Sequence, residues 1–472
     1  MTSMLEKIKR FFTPEHMVAP SLVQGGLPSV KEGYSRSLSL AWPSALESVL
    51  VALVSSVDTM MVGSLGPAAI SAVGITGQPR FLLMAAIISL NTGVTAVVAR
   101  RKGEGDLDGA CRTLKQSVII CFFLDILMVL AAMLVTQPIL RLAGAQDEYI
   151  AQAVDYFRIV MAGQFFACLG MTINAAQRGF GNTKVSMRSN IAANLVNIFF
   201  NYLLINGIWI FPRLEVRGAA IATAIGSVVA FFMALSSVLK HDYDKLSIVT
   251  GAKWRFDKRT VTSIVKVSSS TLVEQVFMRI GFFSYASLVA RLGTLAYATH
   301  QICMSIVQIG FSFADGLGIA ATSLVGQGLG QKRPDLSMIY GKIGQRCAMS
   351  IGVVASIMIL IFRRELIALF TTDPQIIELG AQICIITAVI SLVQTSQVVI
   401  SGCLRGAGDS KFVAVSSFLS VGIVRPGLSW VLCYPIGWGL HGAWLGFLLD
   451  QILRLTLNFT RFRGAKWTKI EL

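Results

Sequence analysis

The chain has 472 residues, 54% of them hydrophobic and 14% charged, with a mean hydropathy of +0.67. A water-soluble protein of this length needs far more charge to cover its surface, so a soluble enzyme or binding domain is excluded and repeated membrane crossings are expected. The formal net charge of +16 would suggest nucleic acid in a soluble protein. Here the basic residues sit between apolar runs, where the positive-inside rule accounts for them, and no nucleic-acid partner is expected.

Residues 1–36 read as an N-terminal cytoplasmic segment without a cleavable signal pattern. Lys7, Lys9 and Arg10 with Leu5, Ile8, Phe11 and Phe12 fit a short basic amphipathic helix on the membrane and a disordered tail equally well. Twelve apolar spans follow, at 37–62, 69–99, 114–136, 150–176, 187–211, 218–240, 262–291, 295–326, 341–362, 376–402, 412–435 and 440–460. Loops after even-numbered spans carry most of the Lys and Arg, which places both termini in the cytoplasm of a multi-pass cell-membrane protein. The expected divisions are an N-lobe at 37–240, a cytoplasmic linker at 241–261, a C-lobe at 262–460 and a tail at 461–472.

An ionisable group inside a span costs about 2.5–3.5 kcal/mol, so each one needs a reason. The first span holds Glu47 and Asp58, three helical turns and about 16 Å apart on one face. Pro43, one turn before Glu47, can bend that helix. A carboxylate that binds H⁺ or Na⁺ loses its charge and permits a different packing, which suits an ion-driven switch; a structural acid paired with an Arg or hydroxyl is the competing reading. In the fifth span Asn194, Asn197 and Asn201 share a face, where amide oxygens can ligate a cation or bond other helices. Asp125 and Asp315 are weaker candidates. Asp450 and Arg454 are spaced i, i+4 as a structural ion pair, and His300 reads as a packing residue. Met60, Met61, Met84, Met278 and Met304 fit a lipid-facing or core role more readily than an adaptable cavity lining.

The eight cysteines are scattered singly, with no spacing that supports a disulfide framework or a metal site. The sequence has no GxxxxGK[ST] loop, H-E-x-x-H or nucleophile elbow. An enzyme is therefore not expected, no cofactor is implied, and transport would draw on an ion gradient or on the substrate's own gradient.

The halves repeat. QRGFGNTK at 177–184 is echoed by LRGAGDSK at 404–411, and Arg405 stands 227 residues after Arg178. Leu65-Gly66 recurs as Leu292-Gly293, and Val98 and Gly103 as Val325 and Gly330, at the same spacing. Six spans per repeat is an even number, so both halves insert in the same orientation, as in parallel-repeat transporters. Glu47 then maps onto Glu274, whose charge Arg279 could partly neutralise, while Asp58 maps onto Tyr285.

The segments AWPSALESVLVALVSSVDTMMVGSLGPAAISAVGI, NTGVTAVVARRKGEGD, QRGFGNTK, VRGAAIATAIG, ATHQI, LVGQGLGQ, CLRGAGDS and GAWLGFLLDQILR together resemble the multidrug and toxic compound extrusion (MATE) transporters, over everything after about residue 37. The resemblance implies an all-α integral membrane protein, with twelve transmembrane helices in two pseudo-symmetric six-helix bundles around a central cavity. It implies a secondary antiporter that exports organic, cationic and amphipathic compounds against H⁺ or Na⁺. It places the coupling acid at Asp58, a bending proline at Pro43, cation ligands at Asn197 and Asn201, and a sixth-helix hydroxyl at Thr223. Some members carry an acid pair in the C-lobe; alignment on CLRGAGD puts Gln394 at one of those positions, which leaves a C-lobe Na⁺ site of that type in doubt. Glu47 and Glu274, with Gln394 and Tyr285, are the residues expected at the substrate cavity, the two glutamates attracting a cationic substrate. Small organic compounds and membrane lipids are the expected partners of a monomer, with Na⁺ at the coupling site the one metal considered. The alternative is a lipid-linked oligosaccharide or lipid flippase of the same superfamily; it needs a basic cavity, for which Arg80, Arg279 and Arg425 are the available groups.

Overall fold

A computed structural model describes residues 11–63, 65–143, 145–239, 245–249, 254 and 256–470. The first ten residues, including Lys7, Lys9 and Arg10, lie outside the described residues, as do 240–244, 250–253 and 255 of the linker region and the side chain of Met60.

Twelve long helices carry the fold: α1 (Val30–Gly63), α2 (Pro67–Gly103), α3 (Leu107–Leu142), α4 (Ile150–Phe180), α5 (Thr183–Asn206), α6 (Glu215–Ser236), α7 (Lys258–Ala290), α8 (Thr294–Gly330), α9 (Pro334–Ile361), α10 (Pro374–Gly406), α11 (Ser410–Cys433) and α12 (Gly439–Arg463). A helix satisfies its own backbone within the segment, so it suits a bilayer core of about 30 Å, which some 20 residues span. Nine helices, among the described residues, are long and apolar enough to cross by composition alone. Of the other three, α1 includes side chains outside the described residues, α5 carries Asn190, Asn194, Asn197 and Asn201, and α12 carries Asp450, Gln451 and Arg454. Those polar residues lower the mean hydropathy of α5 and α12.

The helices form two compact units, Leu46–Leu272 (the N-terminal unit) and Met1–Ala45 with Val273–Leu472 (the C-terminal unit). The division points, 45/46 and 272/273, are themselves 227 residues apart. Each unit therefore includes the opening stretch of the other repeat's first helix. In the C-terminal unit α1 runs so close to α8 that a Cβ on Gly316 would lie 2.3 Å from the Ala45 nitrogen. In the N-terminal unit a Cβ on Gly93 of α2 would lie 2.8 Å from the Ile264 carbonyl of α7. Small residues allow such backbone approaches where hydrophobic burial gives helices no reason to associate.

The segment before α1 also belongs to the C-terminal unit. Met17 and Val18 are buried with Leu317, Met338 and Trp467. The Met17 carbonyl accepts from Lys342 Nζ, and the Gly26 carbonyl from Arg333 Nη2 at 3.0 Å.

The repeated R-G-x-G motif ends α4 and α10. Gly181 and Gly408 have φ of +91° and +87°, the left-handed region that favours glycine after a helix. A Cβ on Gly179 would lie 2.5 Å from the Thr95 carbonyl, and one on Gly406 2.3 Å from the Thr322 carbonyl. The single 227-residue register needs correction beyond this point. In α11 the residues Phe418–Val424 form a π-helical stretch that α5 lacks. Such a stretch adds one residue to the repeat. After it, Leu432 packs on Gly442 as Leu204 packs on Gly218, spacings of 228 in α11 and 224 in α12.

Candidate functional site

The first helix supplies the acids. Glu47 and Asp58 of α1 both line a cavity of about 410 Å³ in the N-terminal unit, together with Arg80, Asn174, Arg178, Asn190, Asn194, Asn197 and Thr223. The three-turn spacing that put both carboxylates on one face thus brings them to one cavity. The triplet of asparagines on α5 divides. Asn197 and Asn201 reach Asp58, while Asn194 lines the cavity without bonding it.

Asp58 Oδ1 accepts from Asn201 Nδ2 at 2.6 Å. The Asn197 amide, turned to satisfy both of its neighbours, donates to Asp58 Oδ1 at 2.9 Å and accepts from Thr223 Oγ1 at 3.3 Å. In the opposite orientation its oxygen faces Asn201 Nδ2 at 3.3 Å and its nitrogen donates to Thr223. The Thr223 hydroxyl also bonds the Ala219 carbonyl of its own helix at 3.0 Å. Asn201 Oδ1 is buried and has no protein partner. A carboxylate, two rotatable amides and a hydroxyl form an oxygen-rich cluster of the kind that holds a proton or a hard cation. The Asn201 oxygen is a further acceptor in that cluster. The four residues expected at the cation site, Asp58, Asn197, Asn201 and Thr223, come together.

Glu47 sits about three turns away in the same wall. Its Oε1 accepts from Asn190 at 2.6 Å, Ser186 at 3.0 Å and Arg178 at 3.5 Å. Glu274 has the same arrangement in the C-terminal unit, accepting from Arg405 at 2.6 Å and Ser417 at 3.0 Å. Asn190 and Ser417 are 227 residues apart, as are the two arginines. The partner of Glu274 is therefore Arg405 on α10, whereas Arg279 was the neutralising group expected from sequence. Glu274 is fully buried, so this side chain offers no surface to a substrate in this structure. Tyr285 and Gln394 are also buried. Tyr285 packs against His300 and Phe447, with ring centroids 5.3 and 6.1 Å away.

The cavity carries both signs of charge, where Glu47 and Asp58 alone would make it acidic. Arg178 balances Glu47, and Arg80, which donates to Gln164 at 3.0 Å, stands in the same lining as Asp58. Sequence reasoning treated Arg178 only as a landmark of the repeat and missed Asn190 and Ser186; the motif containing Arg178 was the available signal. A second correction concerns α12. Asp450 is bonded by Arg425 of α11 at 2.5 Å, while Arg454 donates to Gln451 at 3.2 Å. The i, i+4 spacing offered Arg454 to Asp450, but Arg425 reaches it from the facing helix. Asp125 is buried on α3 away from this cavity, Asp315 is half-buried on α8, and Pro43 lies within the unbroken helix α1. His300 is packed between Tyr285 and Trp444, as expected of a packing residue.

A duplicated six-helix membrane bundle with a half-buried acid–amide cluster beside a cavity defines a polytopic transporter. The MatE family model matches the chain twice, over residues 43–203 and 271–431, one match in each repeat. The chain belongs to the MATE family of transporters. It is 28% identical over 454 residues to a probable multidrug resistance protein NorM of Thermotoga maritima, covering 95% of this chain and 97% of that one. It is 27% identical to the multidrug resistance protein PmpM of Pseudomonas aeruginosa, over 85% of this chain and 83% of that one. A solved outward-facing multidrug resistance MATE transporter superposes with a TM-score of 0.85 at 21% identity, over 92% of this chain and 96% of that chain. A MOP superfamily transporter from Pyrococcus furiosus superposes with a TM-score of 0.86 at 21% identity, over 93% and 97% of the two chains.

Proposed function

We propose that the protein is a secondary antiporter that exports small organic compounds in exchange for H⁺ or Na⁺ by alternating access, with Asp58 as the coupling acid. The observation that carries this reading is the Asp58–Asn197–Asn201–Thr223 cluster in the wall of a cavity large enough for an organic molecule. With Asp58 ionised, the Asn197 and Asn201 amide nitrogens face the carboxylate. A bound Na⁺ would take Asp58, Thr223 Oγ1 and the amide oxygens, which requires Asn197 to turn over. A proton would instead neutralise Asp58 and weaken both amide bonds. Either event changes how α1 is held against α5, and Pro43 gives α1 a place to bend. The relatives named as multidrug resistance proteins support organic compounds as the cargo.

Glu47 and Glu274 are each already paired with an arginine. We assign them to holding α1 against α4 and α5, and α7 against α10 and α11, in preference to attracting a cationic substrate. The run Arg100, Arg101 and Lys102 at the end of α2 supports placing that end, and with it both termini, at the cytoplasmic face of the cell membrane. A flippase for an anionic lipid has one observation in its favour, the pair Arg80 and Arg178 in the cavity lining. Arg425, which sequence also offered to that reading, is committed to Asp450.

The test is Asp58→Asn in proteoliposomes with a proton or Na⁺ gradient imposed separately. Gradient-driven uptake of a fluorescent organic cation is expected in the parent and lost in the variant, with the variant still present in the membrane. Undiminished exchange in Asp58→Asn would overturn the coupling role. Export of a lipid-linked anion that stops with Arg80→Gln, without any drug transport, would favour the flippase.

A further inference from the structure

The repeat carries the counterpart of the cation cluster into the C-terminal unit, and what stands there is a guanidinium. Before the π-helical stretch the register is 227, so Asp58 corresponds to Tyr285. After it the register in α11 is 228, as the matched close approaches of Leu204 and Leu432 show, so Asn197 corresponds to Arg425 and Asn201 to Ser429. In α12 the register is 224, so Thr223 corresponds to Phe447 and Gly226 to Asp450. The contacts agree with this mapping. A Cβ on Gly226 would lie 3.2 Å from Asn197 Cβ, and Asp450 bonds Arg425. Asn197 faces Asp58 and Thr223; the Arg425 guanidinium lies 5.8 Å from the Tyr285 ring and 4.2 Å from the Phe447 ring.

Arg425 and Asp450 are both fully buried and bonded at 2.5 Å. The Arg425 face is covered by Phe282 and Phe447, an arrangement that favours a cation electrostatically. Its Nη1 and Nη2 have no protein partner, and neither does Asp450 Oδ1. Arg454, one turn along α12, adds a second buried cation beside the same acid. Burying an ion pair is costly, and breaking one by removing a partner is costlier. A pair at the pseudo-symmetric position of a cation site therefore calls for a reason beyond stability.

We propose that Arg425, supported by Arg454, is a tethered cation that permanently occupies the C-terminal unit's counterpart of the coupling site. That unit is thereby kept loaded, and exchangeable cation binding is confined to Asp58. This rests on the reading of Asp58 as the coupling acid. The π-helical stretch is the device that turns Arg425 into the site, since without the extra residue Val424 would stand opposite Asn197. Asp450 is the fixed counter-charge, arising from a wall position that is glycine in the other unit. The chain then has one loadable cation site per molecule despite its duplicated scaffold.

Removing the guanidinium groups should open the second site. The variant Arg425→Gln/Arg454→Gln leaves Asp450 without its cations, and adding Asp450→Asn removes the acid as well. Both are made in an Asp58→Asn background, so that the N-terminal site is silent and the outcome does not depend on what Asp58 does. The readout is the thermal stability of the purified protein in detergent, with Na⁺ replaced by choline at constant ionic strength, and as a function of pH. The charged and titratable groups within electrostatic reach of this cluster include Tyr285 and Glu274 on α7, His300 and Cys303 on α8, Arg405 on α10, and Cys433 on α11. They are unchanged in every variant, so the difference made by Asp450→Asn isolates the acid. The double variant is expected to gain a melting temperature that rises by several degrees with Na⁺ or with falling pH, and Asp450→Asn is expected to abolish that dependence. A double variant whose stability responds to neither, or one absent from the membrane at every pH and Na⁺ concentration, overturns the proposal.

Discussion

Asp58 is bonded by amides, where Glu47, Glu274 and Asp450 each have an arginine among their partners. An amide–carboxylate bond orients the acid and brings no counter-charge, so an ionised Asp58 would leave a charge for a proton or cation to cancel. Thr223→Val keeps the side-chain shape and removes the hydroxyl oxygen. It is expected to raise the half-saturating cation concentration about tenfold, about 1.4 kcal/mol, measured from initial exchange rates. The two glutamates should differ in cost. The Glu274–Arg405 contact is 2.6 Å with Glu274 fully buried, while Glu47–Arg178 is 3.5 Å with Glu47 13% exposed. Leaving a buried charge unpaired costs about 3–5 kcal/mol, and less where water reaches it. Glu274→Gln should therefore lower the melting temperature in detergent more than Glu47→Gln; the reverse order would contradict the burial argument.

Helix ends and crossings explain the glycines of the repeated motif. Gly406 of α10 meets the backbone of α8 at Thr322, whereas a Cβ on Gly74 of α2 would meet nothing within 4 Å. Gly406→Ala should destabilise by about 1–3 kcal/mol, because backbone cannot yield as a flexible side chain can. Gly74→Ala should be neutral or stabilising. Thermal unfolding of both variants in one detergent gives the comparison. At the start of α7, Asp257 accepts from Thr260 Oγ1 at 2.5 Å and from the Arg259 nitrogen at 3.2 Å. The Thr260 hydroxyl is the main group holding its carboxyl below the ordinary range, with the Arg259 nitrogen and Arg112 acting in the same direction. A carboxyl lowered on folding contributes stability that is complete above its unfolded value, near pH ~3.9, and lost as pH falls through the folded value. Asp257→Ala should cost about 1 kcal/mol at neutral pH, and the melting temperatures of parent and variant should converge as the pH falls below the ordinary carboxyl range.

At the scale of the molecule, each compact unit is assembled from both halves of the sequence. Residues up to Ala45 join the C-terminal unit, and the second half contributes its opening stretch, up to Leu272, to the N-terminal one. Fragments 1–240 and 241–472 expressed separately should each be unstable in the membrane, and co-expressed they should restore exchange. A 241–472 fragment that is stable alone would show that α1's opening stretch and the segment around Met17 are dispensable to that unit.

Periodicity, charge and the repeated motif made the twelve helices, their order and the equivalence of Glu47 with Glu274 readable from sequence, because membrane burial imposes long apolar runs and duplication preserves spacing. The clustering of Asp58, Asn197, Asn201 and Thr223 was legible only through likeness to a family, since those residues lie on three helices far apart in the chain. Three matters were decided by tertiary structure alone. Arg405 outcompetes Arg279 for Glu274, and Arg425 outcompetes Arg454 for Asp450, because a facing helix presents its guanidinium more directly than a neighbour on the same helix. The third is the π-helical turn at Phe418–Val424. One added residue there rotates everything beyond it, which no constant spacing along the sequence could reveal, and it sets an arginine at the place where the other unit keeps its acid–amide cluster.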